Sequence, residues 1–406
     1  MANRRLFENL GLSNITVQRY RVTLAVLSVG LISGFLLSPK LWLTERTFPH
    51  LPVFGALRPF PAPWDSVWIW GMGVCLLFLI LYPRRIITIF LILCMLILAF
   101  QDQMRLQPWY YQYWLMLIPC TLTAWPVHEG RAKSILRVQQ IILIGVYLWG
   151  GLHKAHPGFI EMYVEVLMRP LIEAIENESL IKMIKASAYI VPPFEVLLAI
   201  FLVFRRTRQM GVLMALATHL IIFIILGPLK EEYSNSIVWP WNLAMVGFLF
   251  SLFFRNSDTI AFKLSFDLRT LVSVLLSSVV IVAPLLFYVG KWDRYLSFNL
   301  YSARQRKLYV KIDPLTLPKT PPNWTDHFFK IPDPKGHKVL SVSRWSLSEL
   351  NVPLITEKRT LRAVCEEIAT YDESGFGMLF LIEYPRMKHR GNALFYSRDI
   401  DSVEIP

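Results

Sequence analysis

Residues 271–289 read LVSVLLSSVVIVAPLLFYV, a run without one charged side chain. An α-helix needs about 17–25 mostly apolar residues to carry the chain across roughly 30 Å of hydrocarbon. This stretch meets that length, and nothing in it suits a helix with one face in water. Working outward, eight further stretches share the pattern: 22–38, 67–83, 86–101, 108–125, 138–153, 187–204, 210–228 and 236–254. Pro119, Thr121 and Thr123 dilute the one at 108–125. Of the 406 residues, 54% are hydrophobic and 17% charged, with a mean hydropathy of +0.43. A soluble domain carries about a quarter charged residues, so the bilayer is the expected solvent.

The predicted fold is an all-α polytopic membrane bundle of about nine transmembrane helices, with a small C-terminal α+β extramembrane domain. Residues 1–21 form a cytoplasmic segment, 22–290 the membrane domain and 291–406 an extracytoplasmic tail. The orientation follows from basic residues. With the N-terminus inside, the inner segments hold Arg4, Arg5, Arg19, Arg21, the pair Arg84 and Arg85, then Arg131, Lys133 and Arg137, the cluster Arg205, Arg206 and Arg208, and finally Arg255, Lys263 and Arg269, while the longer outer loops up to residue 270 hold fewer. The net charge of +13 is spread over such helix ends. Membrane lipids, through their anionic headgroups, are therefore the expected partner, and nucleic acid is not. The first apolar run has no A-x-A exit and reads as a retained anchor, in keeping with a bacterial inner membrane. Cys75, Cys94 and Cys120 fall inside spans and Cys365 stands alone in the tail, so neither a disulfide framework nor a metal site is expected.

In the tail, 307–312, 338–345, 377–384 and 393–397 have the alternation of strands, and 356–372 reads as an amphipathic helix with Thr356 in capping position. Between the fifth and sixth spans, 154–186 is too charged to cross. Phe159, Met162, Tyr163, Val166 and Leu167 fall at helical spacing there, so a helix lying in the interface is expected. In 101–113, QDQMRLQPWYYQY, Asp102 and Arg105 suggest an interfacial turn with an internal ion pair.

Polar groups inside spans are costly and mark candidate chemistry. Three stand out: His153 with Lys154, Glu195 in VPPFEVLLAIF, and His219 in LATHLIIFIILGP. Lys154 either snorkels to the headgroups or is desolvated into a general base. Gly150 and Gly151 before it would let a backbone or a flat ligand approach. Glu195 follows Pro192 and Pro193, which kink or start a span, and can pair with Lys154 or a histidine. His219 is either held by a neighbouring helix or handles protons. Trp149, Trp241 and Asn242 belong to aromatic stretches able to line a cavity for a quinone-like ligand.

The stretch 148–163, LWGGLHKA, HPG, FIEMY, resembles the vitamin K-dependent γ-carboxylase and the wider horizontally transferred transmembrane domain family. Gly151, Lys154, Phe159, Glu161 and Tyr163 fall in register with the family pattern, and His153 stands for its first basic residue. The spans at 217–228 and 238–245 are similar to that family's later membrane region. In the carboxylase the second basic residue is a lysine that deprotonates vitamin K hydroquinone. The resemblance implies that role for Lys154 and a quinol cofactor; as polar groups within spans, His153 and His219 are the expected proton partners, with Glu195 orienting one of them. The competing expectation is a non-catalytic membrane anchor whose extracytoplasmic tail, 291–406, binds a partner protein.

Overall fold

The computed structural model describes residues 14–123, 126–226, 235–260, 267–302, 305–330, 333–372, 375, 377–384 and 393–397. Among them, six helices are long and apolar enough to cross a membrane: α1 (Ile15–Leu37), α2 (Trp64–Leu81), α5 (Glu129–Lys154), α6 (Glu178–Val203), α7 (Arg208–Ile225) and α9 (Leu268–Val289). Two shorter apolar helices, α3 (Arg85–Gln101) and α8 (Val238–Phe253), join them. Of the nine expected spans, six coincide with these long helices, and those at 86–101 and 236–254 form the two shorter ones. The 108–125 run is the remaining one. It forms α4 (Pro108–Leu117) and then a 3-10 turn, Ile118–Leu122, where Pro119 has no N–H to continue the α-helical ladder. Nearly every α4 side chain is buried against other helices.

Large apolar side chains point outward along the long helices, among them Val29, Trp70, Leu77, Leu220 and Leu271. In water so extensive an apolar surface would be strongly unfavourable, whereas lipid accepts it. The architecture is thus compatible with a membrane protein. α5 is the central helix: 78% of its apolar window is buried, against 22% for α2. Its buried amides are satisfied across helices, Gln139 Nε2 donating to the Met116 carbonyl at 2.9 Å and Gln140 Nε2 to the Leu252 carbonyl at 2.7 Å.

The helix ends gather on two faces. On one, Asn14 donates to Glu129, Arg19 to the Ser251 and Phe254 carbonyls, and buried Arg208 to the Asn256 and Asp258 carbonyls. On the other the tail is docked. Its antiparallel sheet has the order β2 (Lys338–Ser341), β1 (Lys307–Ile312), β3 (Met378–Tyr384), β4 (Ala393–Ser397). Leu308, Val310 and Ile312 of β1 face inward under α10 (Val342–Leu350) and α11 (Lys358–Ala369). The tail and the bundle share one apolar core, in which Phe48 meets Trp345 at 4.7 Å and Tyr111 meets Phe298 at 5.7 Å.

Three local expectations change. The 338–345 stretch is a strand only to Ser341, whose hydroxyl caps α10; Asn351 closes that helix in a left-handed conformation. Glu357, not Thr356, precedes α11. Residues 154–186 are not one interfacial helix, because Pro157 and Pro170 restart the chain in short turns and Asn177 caps α6. Asp102 also differs from expectation. It pairs with Arg46 at 2.5 Å, while Arg105 donates to the carbonyls of Leu41, Trp42 and Leu98. Burial alone would push the Asp102 carboxyl up, but Arg46, His50 and Arg105 hold it well below the usual carboxylate range.

Candidate functional site between helices α5, α6 and α7

Lys154 is the last residue of α5 and Glu195 lies in the middle of α6. The lysine Nζ donates to both carboxylate oxygens at 2.6 Å, and the two side chains are only 12% and 8% exposed. Lys154 therefore turns inward and does not snorkel. The helices approach closely enough for this because Gly151 has no side chain: a Cβ there would sit 2.9 Å from the Pro192 carbonyl oxygen and 2.9 Å from the Val196 nitrogen. At Gly150 a Cβ would meet Glu195 Oε2 at 3.4 Å. The two glycines thus set the α5–α6 contact beside the ion pair. Pro192 and Pro193 lie inside the continuous α6 and do not start it.

Two turns earlier on α5, Tyr147 reaches α7. Its hydroxyl lies 2.7 Å from His219 Nε2, and His219 Nδ1 lies 2.7 Å from Asn242 Oδ1. Asn242 Nδ2 donates to the Val238 carbonyl at 2.7 Å, which leaves its oxygen to accept. The protonated nitrogen of a neutral His219 is then Nδ1, and Nε2 accepts the Tyr147 hydroxyl proton. Three helices are joined by this one polar chain. Nothing in the spacing of the sequence pointed to Tyr147; its only signal was a hydroxyl seven residues before Lys154 on the same helical face.

His153 is buried on another face of α5. It packs on Trp149 at 5.5 Å, edge to Phe287 at 5.0 Å and stacked on Tyr288 at 5.3 Å. His153 and Trp149 therefore form an aromatic cluster with α9, while the ion pair faces α6. Trp241 Nε1 donates to Gln112 Oε1 at 3.0 Å. Its ring lines a cavity of about 540 Å³ between the bundle and the tail, together with Met162, Ile225 and the polar His156, Glu161 and Lys307. That cavity begins two residues beyond Lys154, where the His156 N–H donates to the Lys154 carbonyl at 2.7 Å. No group of side chains suited to a metal ion occurs among the described residues.

Compared with family models, with curated proteins and with solved structures, the chain matches none.

Proposed function

We propose that the chain is a membrane-embedded enzyme acting on a lipid-soluble hydroxylic substrate, of which a quinol is the type, with Lys154 as base. The observation that carries this reading is the two-oxygen contact of Lys154 with Glu195 inside an apolar bundle. Buried charges at membrane depth are expensive, and such pairs mark proton or substrate sites. A proton can pass from the ammonium to the carboxylate along a hydrogen bond already made, leaving a neutral amine and a neutral acid. The amine then takes the substrate's hydroxyl proton, so that an ammonium faces the new oxyanion and total charge is unchanged. Tyr147, His219 and Asn242 supply a second polar chain one helix away. The cavity beside Trp241 has a size suited to an aromatic ligand. The motif resemblance at 148–163 points to the same lysine.

In this reading the face holding Asn14, Arg19 and Arg208 is cytoplasmic by the positive-inside rule, and the tail is extracytoplasmic. The test is lipid extraction of purified protein and mass spectrometry of what is released. The wild type should release a quinone or a related lipid-soluble phenol, and Lys154→Met should release far less. The absence of any such molecule from both overturns the reading.

A second reading, an anchor whose tail holds a protein partner, draws on a groove of about 990 Å³ lined by Lys330, Lys338 and Arg344. Crosslinking in intact cells, with full-length protein against Arg344→Glu, tests it. A partner lost in the variant supports this reading, and an unchanged pattern excludes the groove.

A further inference from the structure

The face opposite the tail holds a cavity of about 430 Å³ between the first turns of α5 and α9, lined by Arg131, Arg137, Arg269, Ser134, Thr270 and Ser273 over an apolar floor that includes Leu122, Ile135 and Val138. Three arginines thus line a cavity whose lining, among the described residues, includes one carboxylate, Asp267. That carboxylate accepts the Thr270 N–H at 2.7 Å as a helix cap. The neighbouring acids are engaged elsewhere, Asp258 with Lys133 at 2.5 Å and Glu129 with Asn14 at 2.8 Å. The Arg137 Nε is buried and has no hydrogen-bond partner among the described residues. A buried guanidinium nitrogen left unpaired is costly, and an anionic acceptor relieves it with charge-assisted bonds.

The shape of the site narrows the choice of anion. Arginines and hydroxyls lie at the rim, and the floor includes the buried Ile135 and Val138 on the flank of α5, a helix long enough to cross a bilayer. A soluble anion would use only the rim, whereas a phospholipid also uses the floor. We propose that this cavity is a binding site for one anionic phospholipid, its phosphate held by Arg131, Arg137 and Arg269 and its first acyl carbons lying over Ile135 and Val138. Bound there, the lipid crosslinks α5 to α9 and steadies the central helix, whose far end carries Lys154.

The experiment is native mass spectrometry of the delipidated full-length protein, titrated with phosphatidylglycerol or with phosphatidylcholine of the same chains, and separately with inorganic phosphate. Phosphatidylglycerol should bind as one retained molecule and more tightly than phosphatidylcholine. Loss of each arginine should weaken it about fivefold, the size expected for one basic residue at an anionic surface. Arg137→Gln and Arg269→Gln serve first. Ser134→Glu, which adds a carboxylate and keeps every arginine, serves if an arginine variant does not fold. Arg205→Gln, at a different helix end, should leave binding unchanged. Equal binding of the two lipids, or no loss in Arg137→Gln and Ser134→Glu, overturns the site. Inorganic phosphate competing at equal concentration overturns the lipid assignment in favour of a small-anion site.

Discussion

The Nζ of Lys154 lies 2.6 Å from each carboxylate oxygen of Glu195, joining the end of α5 to the middle of α6. Removing one partner leaves the other as a poorly hydrated charge, which costs about 3–5 kcal/mol when a pair is buried. Lys154→Met and Glu195→Leu singly should each lower thermal stability in detergent strongly. The double variant should recover much of the loss, because no charge is then stranded. A double variant no more stable than the singles would mean that the pair is not the coupled unit described.

Gly151 and Gly150 separate packing from chemistry. At Gly151 a Cβ would meet backbone at 2.9 Å, and backbone cannot swing aside, so Gly151→Ala should destabilise by about 1–3 kcal/mol. Gly150→Ala meets only the tip of Glu195 at 3.4 Å and should be nearly neutral for folding. Thermal unfolding of the two variants side by side checks this, and equal effects would contradict the close α5–α6 approach.

The Tyr147 hydroxyl proton is accepted by His219 Nε2. Tyr147→Phe removes the donor and leaves a buried acceptor, a loss of about 1–3 kcal/mol. Asn242→Asp should be tolerated better than Asn242→Leu, since it keeps an oxygen for Nδ1. The ¹⁵N chemical shifts of His219 report the tautomer directly. Wild type should show the proton on Nδ1, and a proton on Nε2 would refute the chain as written.

Glu349 anchors the tail to the bundle. Its carboxylate accepts the Thr47 N–H and hydroxyl, each at 2.6 Å, the Phe48 N–H at 3.0 Å and Trp345 Nε1 at 2.7 Å. Burial pushes its carboxyl up, but these donors and Lys40 outweigh it and hold the group below its ordinary value. A depressed folded value means that this stabilisation is fully present above about pH 4.3, the ordinary Glu value, and is lost as pH falls further. Hydrogen exchange at the tail–bundle contact should rise as pH is lowered through that range, after correction for intrinsic rates. Glu349→Gln should flatten the change. A wild-type contact indifferent to acid would contradict the role.

Much of the membrane architecture was legible because apolar runs such as 271–289 have no competing explanation. What a run cannot say is whether its neighbour is lipid or protein, so 108–125 looked like a span although α4 is packed inside and stops near Pro119. The start of α6 was hidden because Glu178, Lys182 and Lys185 made 154–186 read as a helix lying in the interface, too charged to belong to a span. The Asn177 side chain, which accepts the Leu180 N–H at 3.1 Å, was the usable signal. Lys154, Glu195 and His219 stood out singly as polar groups in apolar surroundings. Their grouping depends on which helices adjoin, which spacing along one chain does not encode, and so Tyr147 was missed and the packing of His153 on Trp149, Phe287 and Tyr288 was not foreseen.

The central claim is that the Lys154–Glu195 pair takes a proton from a bound hydroxyl. Ultraviolet spectra of a short-chain naphthohydroquinone, added without oxygen to the full-length protein in nanodiscs, test it most directly. Below the pH at which the free hydroquinone ionises, wild type should give the spectrum of the bound anion, and Lys154→Met should give that of the neutral form. A neutral spectrum in the wild type at saturating ligand, or an anion signal that persists without Lys154, would contradict the account.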